Sequence, residues 1–168
     1  MPDTVYLDTE TTGLSPEKGD RVVDIAMVDD LGNTVIDTLV DPERPIPAEA
    51  SGIHHISDEM VAGMPTMEAL WPSIEEMTDG KRVVIYNAGF DTRFFPNRLG
   101  NAASVECAML RFAEAYGEPS QYGNGYRWQR LALAADHIGY NWVGKAHRAL
   151  ADALACRAVW AWLEENGH

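Results

Sequence analysis

Apolar residues along this chain fall into two kinds of stretch, short unbroken runs and longer periodic ones, and the two alternate after an opening pair of runs. Residues 4–9, TVYLDT, read as a buried strand, and 21–30, RVVDIAMVDD, and 33–41, NTVIDTLVD, as two more. Leu31, Gly32 and Asn33 supply a turn between the last two, which predicts a hairpin. DPERPIPAEA, 41–50, carries three prolines and reads as a loop. Residues 57–62 and 66–78 read as helices entered at Ser57 and Thr66, whose hydroxyls suit an N-cap. RVVIYN, 82–87, is a short strand, followed by a helix to about Leu99 that is disturbed at Pro96. A fifth strand at 104–106 leads into a helix over 107–116. GEPSQYGNGY, 117–126, is a polar, glycine-rich loop, and helices are expected over 127–138 and 148–165. A hairpin followed by alternating helices and strands predicts an α/β fold, with a mixed sheet covered by helices on both faces, as one domain spanning 1–168.

Carboxylates interrupt the pattern in four places. Asp8 and Glu10 lie two apart in the first strand, so they share a face, about 6.6–6.8 Å apart, near its C-terminal end. Thr11, Thr12 and Gly13 turn the chain immediately afterwards. Functional sites of α/β sheets gather at such strand ends; a loop cap or a lysine partner is the alternative. In the last helix, Ala149, Asp152, Cys156, Val159 and Leu163 form one apolar stripe that includes an acid. Asp152 therefore points toward the sheet, where an unpaired carboxylate is costly. Its partner is either a metal ion or an arginine. Asp91, in NAGFDTRFF, follows the 82–87 strand and is either a site residue or a helix N-cap.

Converging acids need a counter-charge, because two carboxylates about 5 Å apart repel by roughly 3 kcal/mol at an effective dielectric near 20. Oxygen-only ligands favour Mg²⁺, with Mn²⁺ as a substitute. Two such ions about 3.5–4 Å apart form the clamp used in phosphodiester hydrolysis. His147, five residues before Asp152, is the candidate general base, since an ordinary histidine titrates near pH 6.5. Away from such a site it would be a surface or structural imidazole.

Charge narrows the choice of partner. With 26 acidic and 13 basic residues, the net charge is −13, which argues against a broad basic surface for duplex nucleic acid. A local basic rim is still available from Arg93, Arg98, Lys145 and Arg148, and from Arg127 and Arg130 flanking Trp128. Trp128 is either core or a stacking surface for bases. No apolar stretch reaches the roughly 20 residues of a membrane helix, and no secretory signal opens the chain, so a cytoplasmic location is expected. Cys107 and Cys156 sit in helix-like patterns and are expected as thiols.

Taken together, DTETTG, NAGFD and HRALAD resemble the motifs of the DnaQ-like 3′–5′ exonucleases. More narrowly they resemble the DEDDh branch; a sister branch has tyrosine four residues before the last Asp, where this chain has Arg148. GIHHISDEMV, FDTRFFPNRL and HRALADAL are similar to the exodeoxyribonuclease X group within it. The resemblance implies a ribonuclease H-like fold with a five-stranded mixed sheet. It implies two Mg²⁺ ions and release of nucleoside 5′-monophosphates from a 3′ end. Asp8 would bridge the metals, Glu10 and Asp152 would complete their shells, Asp91 would act through a metal-bound water, and His147 would deprotonate the attacking water. Thr11, Thr12, Gly13, Leu14, Ile53 and His54 would hold the terminal nucleotide. Asn87 would either bond the substrate backbone or order the turn before Asp91. Tyr86 departs from the family, which often has histidine there. DNA with single-stranded or frayed 3′ ends is the expected substrate. An RNA-directed, oligoribonuclease-like enzyme, a proofreading subunit and a non-catalytic binding module are the alternatives, and monomer and homodimer are both open.

Overall fold

A computed structural model describes residues 3–168; Met1 and Pro2, the start of the expected domain, lie outside the described residues. The five strands are β1 (Thr4–Thr11), β2 (Val22–Asp29), β3 (Thr34–Leu39), β4 (Arg82–Ile85) and β5 (Ser104–Cys107). They form one sheet in the order β3-β2-β1-β4-β5. β1 is central, antiparallel to β2 and parallel to β4; β2 and β3 form the expected hairpin, and β4 and β5 run parallel. The helices are α1 (Ala48–His54), α2 (Asp58–Val61), α3 (Met67–Thr78), α4 (Ala88–Asp91), α5 (Ala108–Tyr116), α6 (Leu131–His137) and α7 (Ala149–Glu165). None of them is long and apolar enough to cross a membrane.

The period-two alternation of β1 divides its side chains between two cores. Tyr6 joins Val28 and Val84 under Phe112 of α5 and Cys156, Val159 and Leu163 of α7. Val5 and Leu7 join Ile25, Met27, Val83 and Ile85 on the other face, against Ile74 of α3, Phe95 and Leu99. Asp8, Glu10 and Asp24 continue the Tyr6 side, so they emerge at the strand ends beneath α7. A register shift between Glu10 and Thr11 then bends the end of β1, which stays paired to β2 only through Thr11 and Val22 before the chain turns at residues 12–14.

Four expectations need correction. The 88–99 helix breaks after one turn: α4 is followed by 3-10 turns at Thr92–Phe94 and Pro96–Leu99. Phe95 is extended (φ −112°, ψ 145°), as the residue before a proline prefers. Burial of Phe95 and Leu99 against the sheet holds the break despite positive φ at Asn97, Arg98 and Leu99. Residues 127–130 are not helical; Gln129 is buried there and α6 starts at Leu131. The proline-rich loop ends sooner than expected, because Ala48 already begins α1 behind Pro47. Cys107 closes β5 rather than lying in a helix, though it and Cys156 are both free thiols as expected.

Leu163, fully buried near the end of α7, is remote from the acids. Leu163→Ala is expected to lower unfolding free energy by about 2–5 kcal/mol, read as a lower midpoint in urea denaturation.

Candidate active site

β1 and α7 bring three carboxylates to one point. One oxygen each from Asp8, Glu10 and Asp152 lies within 4.8 Å of the others. Asp152 stands in the first turn of α7, where the helix dipole favours negative charge. Asp8 Oδ2 is buried and has no hydrogen-bond partner. No ion pair among the described residues reaches Asp8, Glu10 or Asp152. The lysine and arginine alternatives therefore fail: Asp152 Oδ1 accepts instead from the His147 backbone N–H at 3.1 Å. An orphaned carboxylate oxygen inside an all-oxygen donor set fits a divalent cation.

Asp91 is brought close without joining this group. It ends α4 rather than capping it, is buried, and its Oδ1 accepts from Thr9 Oγ1 at 2.6 Å. Burial and mutual repulsion push all four acids upward. Asp8 rises well above its ordinary range, chiefly from burial and then from Asp91, Asp152 and Glu10. Burial followed by Asp152 takes Glu10 to about 9. Asp91 reaches about 7, burial outweighing its bonds with Thr9. Asp152 reaches about 6, with burial again leading and the His147 N–H opposing.

His147 is exposed, with a left-handed φ of 63°, and it lines a cavity of about 460 Å³ with Asp152, Asn87, Tyr86, Trp128 and Gln129. The Asn87 carbonyl starts α4 by accepting from Phe90 N (3.0 Å) and Asp91 N (3.2 Å), while its side chain makes no cap bond. On the other side of the acids, Glu10 lines a second cavity, of about 530 Å³, with residues 11–14, Ile53 and His54. Leu14 and Ile53 are 74% and 57% exposed there. Thr12 and His54 are braces instead. Thr12 Oγ1 donates to Asp20 Oδ1 and accepts from Arg21 N, both at 3.0 Å. The His54 ring accepts from Ile56 N at Nδ1 (3.1 Å), which leaves Nε2 to donate to the Thr11 carbonyl (3.2 Å). Burial, its leading cause, lowers the His54 pKa, keeping the imidazole neutral for that bridge. At Gly13 a Cβ would fall 2.4 Å from the Asp20 carboxylate, so no larger residue fits without displacing it.

Sequence reasoning missed Asp24. It faces Glu10 across the β1–β2 ladder, is 1% exposed, and its Oδ2 accepts from Arg148 Nε and Ala149 N, both at 3.0 Å. Asp24 thus fastens the N-terminus of α7, from which His147 and Asp152 project. The signal was present: Asp24 interrupts an apolar run as Asp8 does. Tyr86, the family departure, donates its hydroxyl to the Gln129 carbonyl at 2.7 Å.

Residues 5–159 match the family model RNase_T, described as exonuclease. The chain belongs to the RNase_T exonuclease family. It is 40% identical over 163 residues to the uncharacterized exonuclease CP81 of Escherichia phage 186, covering 89% of this chain and 82% of that one. DNA polymerase III subunit epsilon of Treponema pallidum (strain Nichols) is 31% identical over 174 residues, covering 96% and 78%. The chain spans about half the length of several Rickettsia epsilon subunits that it also matches. Among solved structures, Exonuclease X in complex with 5′ overhanging duplex DNA is similar at a TM-score of 0.75 and 27% identity, covering 97% of this chain and 92% of that one. The DnaQ-like assignment, the ribonuclease H-like fold and the 3′–5′ exonuclease class expected from the motifs agree with these relationships.

Two predictions follow from the charges. The folded protein holds extra protons on its raised acids, so the stability these groups contribute is fullest below the ordinary carboxylate range and is lost as pH rises through about 6, 7 and 9. Thermal melts in EDTA should show Tm falling over that window, and Mg²⁺ should raise Tm more at pH 8 than at pH 6, because protons compete with the cation. Asp24→Ala strands Arg148 and the Ala149 N–H. It is expected to cost about 3 kcal/mol, the low end for a broken buried pair because Arg148 reaches solvent. Asp24→Asn, which keeps an acceptor, should cost less; urea denaturation of the two variants checks the order.

Proposed function

We propose that this exonuclease releases nucleoside 5′-monophosphates from the 3′ ends of DNA, preferring single-stranded or frayed termini, with two Mg²⁺ ions that Mn²⁺ can replace. The observation that carries the proposal is the Asp8–Glu10–Asp152 oxygen cluster with its unpartnered Asp8 oxygen. Asp8, Glu10 and Asp152 would hold the cations, with Asp91 assisting through a bound water. Bound there, the cations supply charge stabilisation at phosphorus and lower the pKa of water.

The remaining work falls to side and main chains. His147 accepts the proton of the attacking water; its main-chain N–H is held by Asp152, and it lines the same cavity as that acid. Thr11 to Leu14 offer main-chain groups to the 3′-hydroxyl, and exposed Leu14 and Ile53 give apolar surface for the terminal base. Thr12 and His54 support that pocket from behind. The Asn87 amide reaches toward the sugar–phosphate from the opposite cavity.

Electrostatics favour single strands. Of the basic residues near the site, Arg93 is paired with Glu17 (2.7 Å), Arg127 with Glu118 (3.1 Å) and Arg148 with Asp24 (3.0 Å). Only Arg98, Arg130 and Lys145 of that rim have no ion pair among the described residues, too few to grip a duplex strongly. DNA as the polymer is supported by Exonuclease X, solved on DNA. A proofreading subunit is the second reading, supported by the Treponema epsilon relative.

The test uses 3′- and 5′-labelled DNA and RNA oligonucleotides with Mg²⁺, Mn²⁺ or EDTA. Metal-dependent mononucleotide release from the 3′ end, faster on DNA than RNA and on single strands than blunt duplex, is expected. Faster RNA cleavage would transfer the assignment to RNA, and no cleavage of either by the folded protein would sink it. Asp8→Ala should abolish cleavage without loss of fold, since it removes a buried charge together with a ligand. His147→Ala should lower kcat by about 10²–10⁴-fold with little change in Mg²⁺ affinity by calorimetry.

A further inference from the structure

The connection from α5 to α6 is a ribbon with a fixed base. Pro119 and Tyr126 pair antiparallel, Ser120 N donates to Gly125 O (3.1 Å), and Arg127 N donates to Glu118 O (2.8 Å). Gly123 and Gly125 take the positive φ values, 86° and 69°, that let the tip turn. At the base, buried Gln129 donates to Glu118 Oε2 at 2.8 Å while its carbonyl is held by Tyr86. The ribbon's large rings are not spent on packing: Tyr122 is 85%, Trp128 64% and Tyr126 45% exposed. They line a cavity of about 570 Å³, and Trp128 also lines the cavity of His147 and Asp152.

We propose that this ribbon is a stacking surface for bases of the substrate strand lying 5′ to the cleaved bond, with Trp128 and Tyr126 as its principal rings. The proposal rests on the exonuclease reading of the adjoining site. Trp128 makes the ribbon continuous with that site, so a strand whose last phosphate sits at the acids passes within reach of it. Charge argues the same way. On a protein of net charge −13, with Arg127 already paired to Glu118, phosphate contacts are scarce. Stacking needs no charge, and every base has a π-face, so a sequence-tolerant enzyme can hold each new end equally. Three exposed rings on one anchored ribbon are otherwise an unexplained cost in unburied apolar area.

The test is competition binding with Ca²⁺ in place of Mg²⁺, using unlabelled oligothymidylates of two to eight nucleotides against a labelled strand. Wild-type affinity should climb with length. In Trp128→Ala/Tyr126→Ala that climb should collapse, with about 5- to 150-fold lost per stacked base on the eight-mer. An eight-mer with abasic sites in place of its internal bases should bind wild type as weakly as the intact strand binds the variant, and combining the two changes should add little. A variant that keeps the full length dependence, or an abasic strand bound as tightly as the intact one, overturns the proposal; a protein partner on the ribbon would give that result. Cleavage of the same strands by wild type in Mg²⁺ is read in parallel. Length-dependent binding without cleavage sinks the exonuclease reading and keeps the ribbon, cleavage without ring dependence does the reverse, and no binding of any strand overturns both.

Discussion

Concentrated negative charge at the end of β1 is the constraint on which the rest of this structure depends. Asp8, Glu10 and Asp152 face one another within 4.8 Å, Asp91 stands nearby, and Asp24 lies behind them on β2. In a partly desolvated setting such a set resists ionising together, and the raised pKa values of the four site acids express that resistance. A fold can tolerate the arrangement only by fixing the backbone around it. The central strand does so from below, with Leu7 and Tyr6 buried in opposite cores. The N-terminus of α7 does so from above, where main-chain N–H groups face the acids.

Asp24 and Arg148 show how the two halves are joined. Arg148 offsets part of the Asp24 charge beside Glu10, and the same carboxylate caps α7 from a strand 125 residues away in sequence. Arg148, the arginine at the start of this helix, thus serves Asp24 rather than Asp152. By taking Arg148, Asp24 leaves Asp8 and Asp152 without a cationic side chain. That division keeps the α7 carboxylate available to a cation while the helix stays anchored.

Much of this was legible in the sequence because burial and charge conflict visibly there. An acid in an apolar strand or stripe marks a site, and that logic found Asp8, Glu10 and Asp152. It applied equally to Asp24, which interrupts the apolar run of β2 and was not singled out. The hairpin and the mixed character of the sheet followed from the two opening runs and the alternation after them, whereas the strand order came from the structure. What could not be read was anything decided by tertiary burial of one or two residues. Phe95 and Leu99 overrode helix periodicity over 88–99, and Gln129 stopped a helix from starting at 127. His54 was legible as a neighbour of the pocket, but its role as a neutral bridge between Thr11 and Ile56 depends on a fold that brings residue 11 beside residue 54.

Tyr86 gives the departure from the family pattern a physical meaning. A phenol at this strand end reaches farther than an imidazole, and its hydroxyl lands on the Gln129 carbonyl. Gln129 is the only buried residue of 121–130, so this bond joins its contact with Glu118 in fixing the base of a segment that is otherwise solvent-exposed. The residue before Asn87 therefore ties two things together: the strand end that delivers Asp91 to the acids, and the ribbon that carries Trp128. Burial pushes the Tyr86 pKa up, so the phenol stays protonated and keeps donating across the range in which the site acids titrate. A histidine in its place would change protonation within that range, and the tie between site and ribbon would change with it.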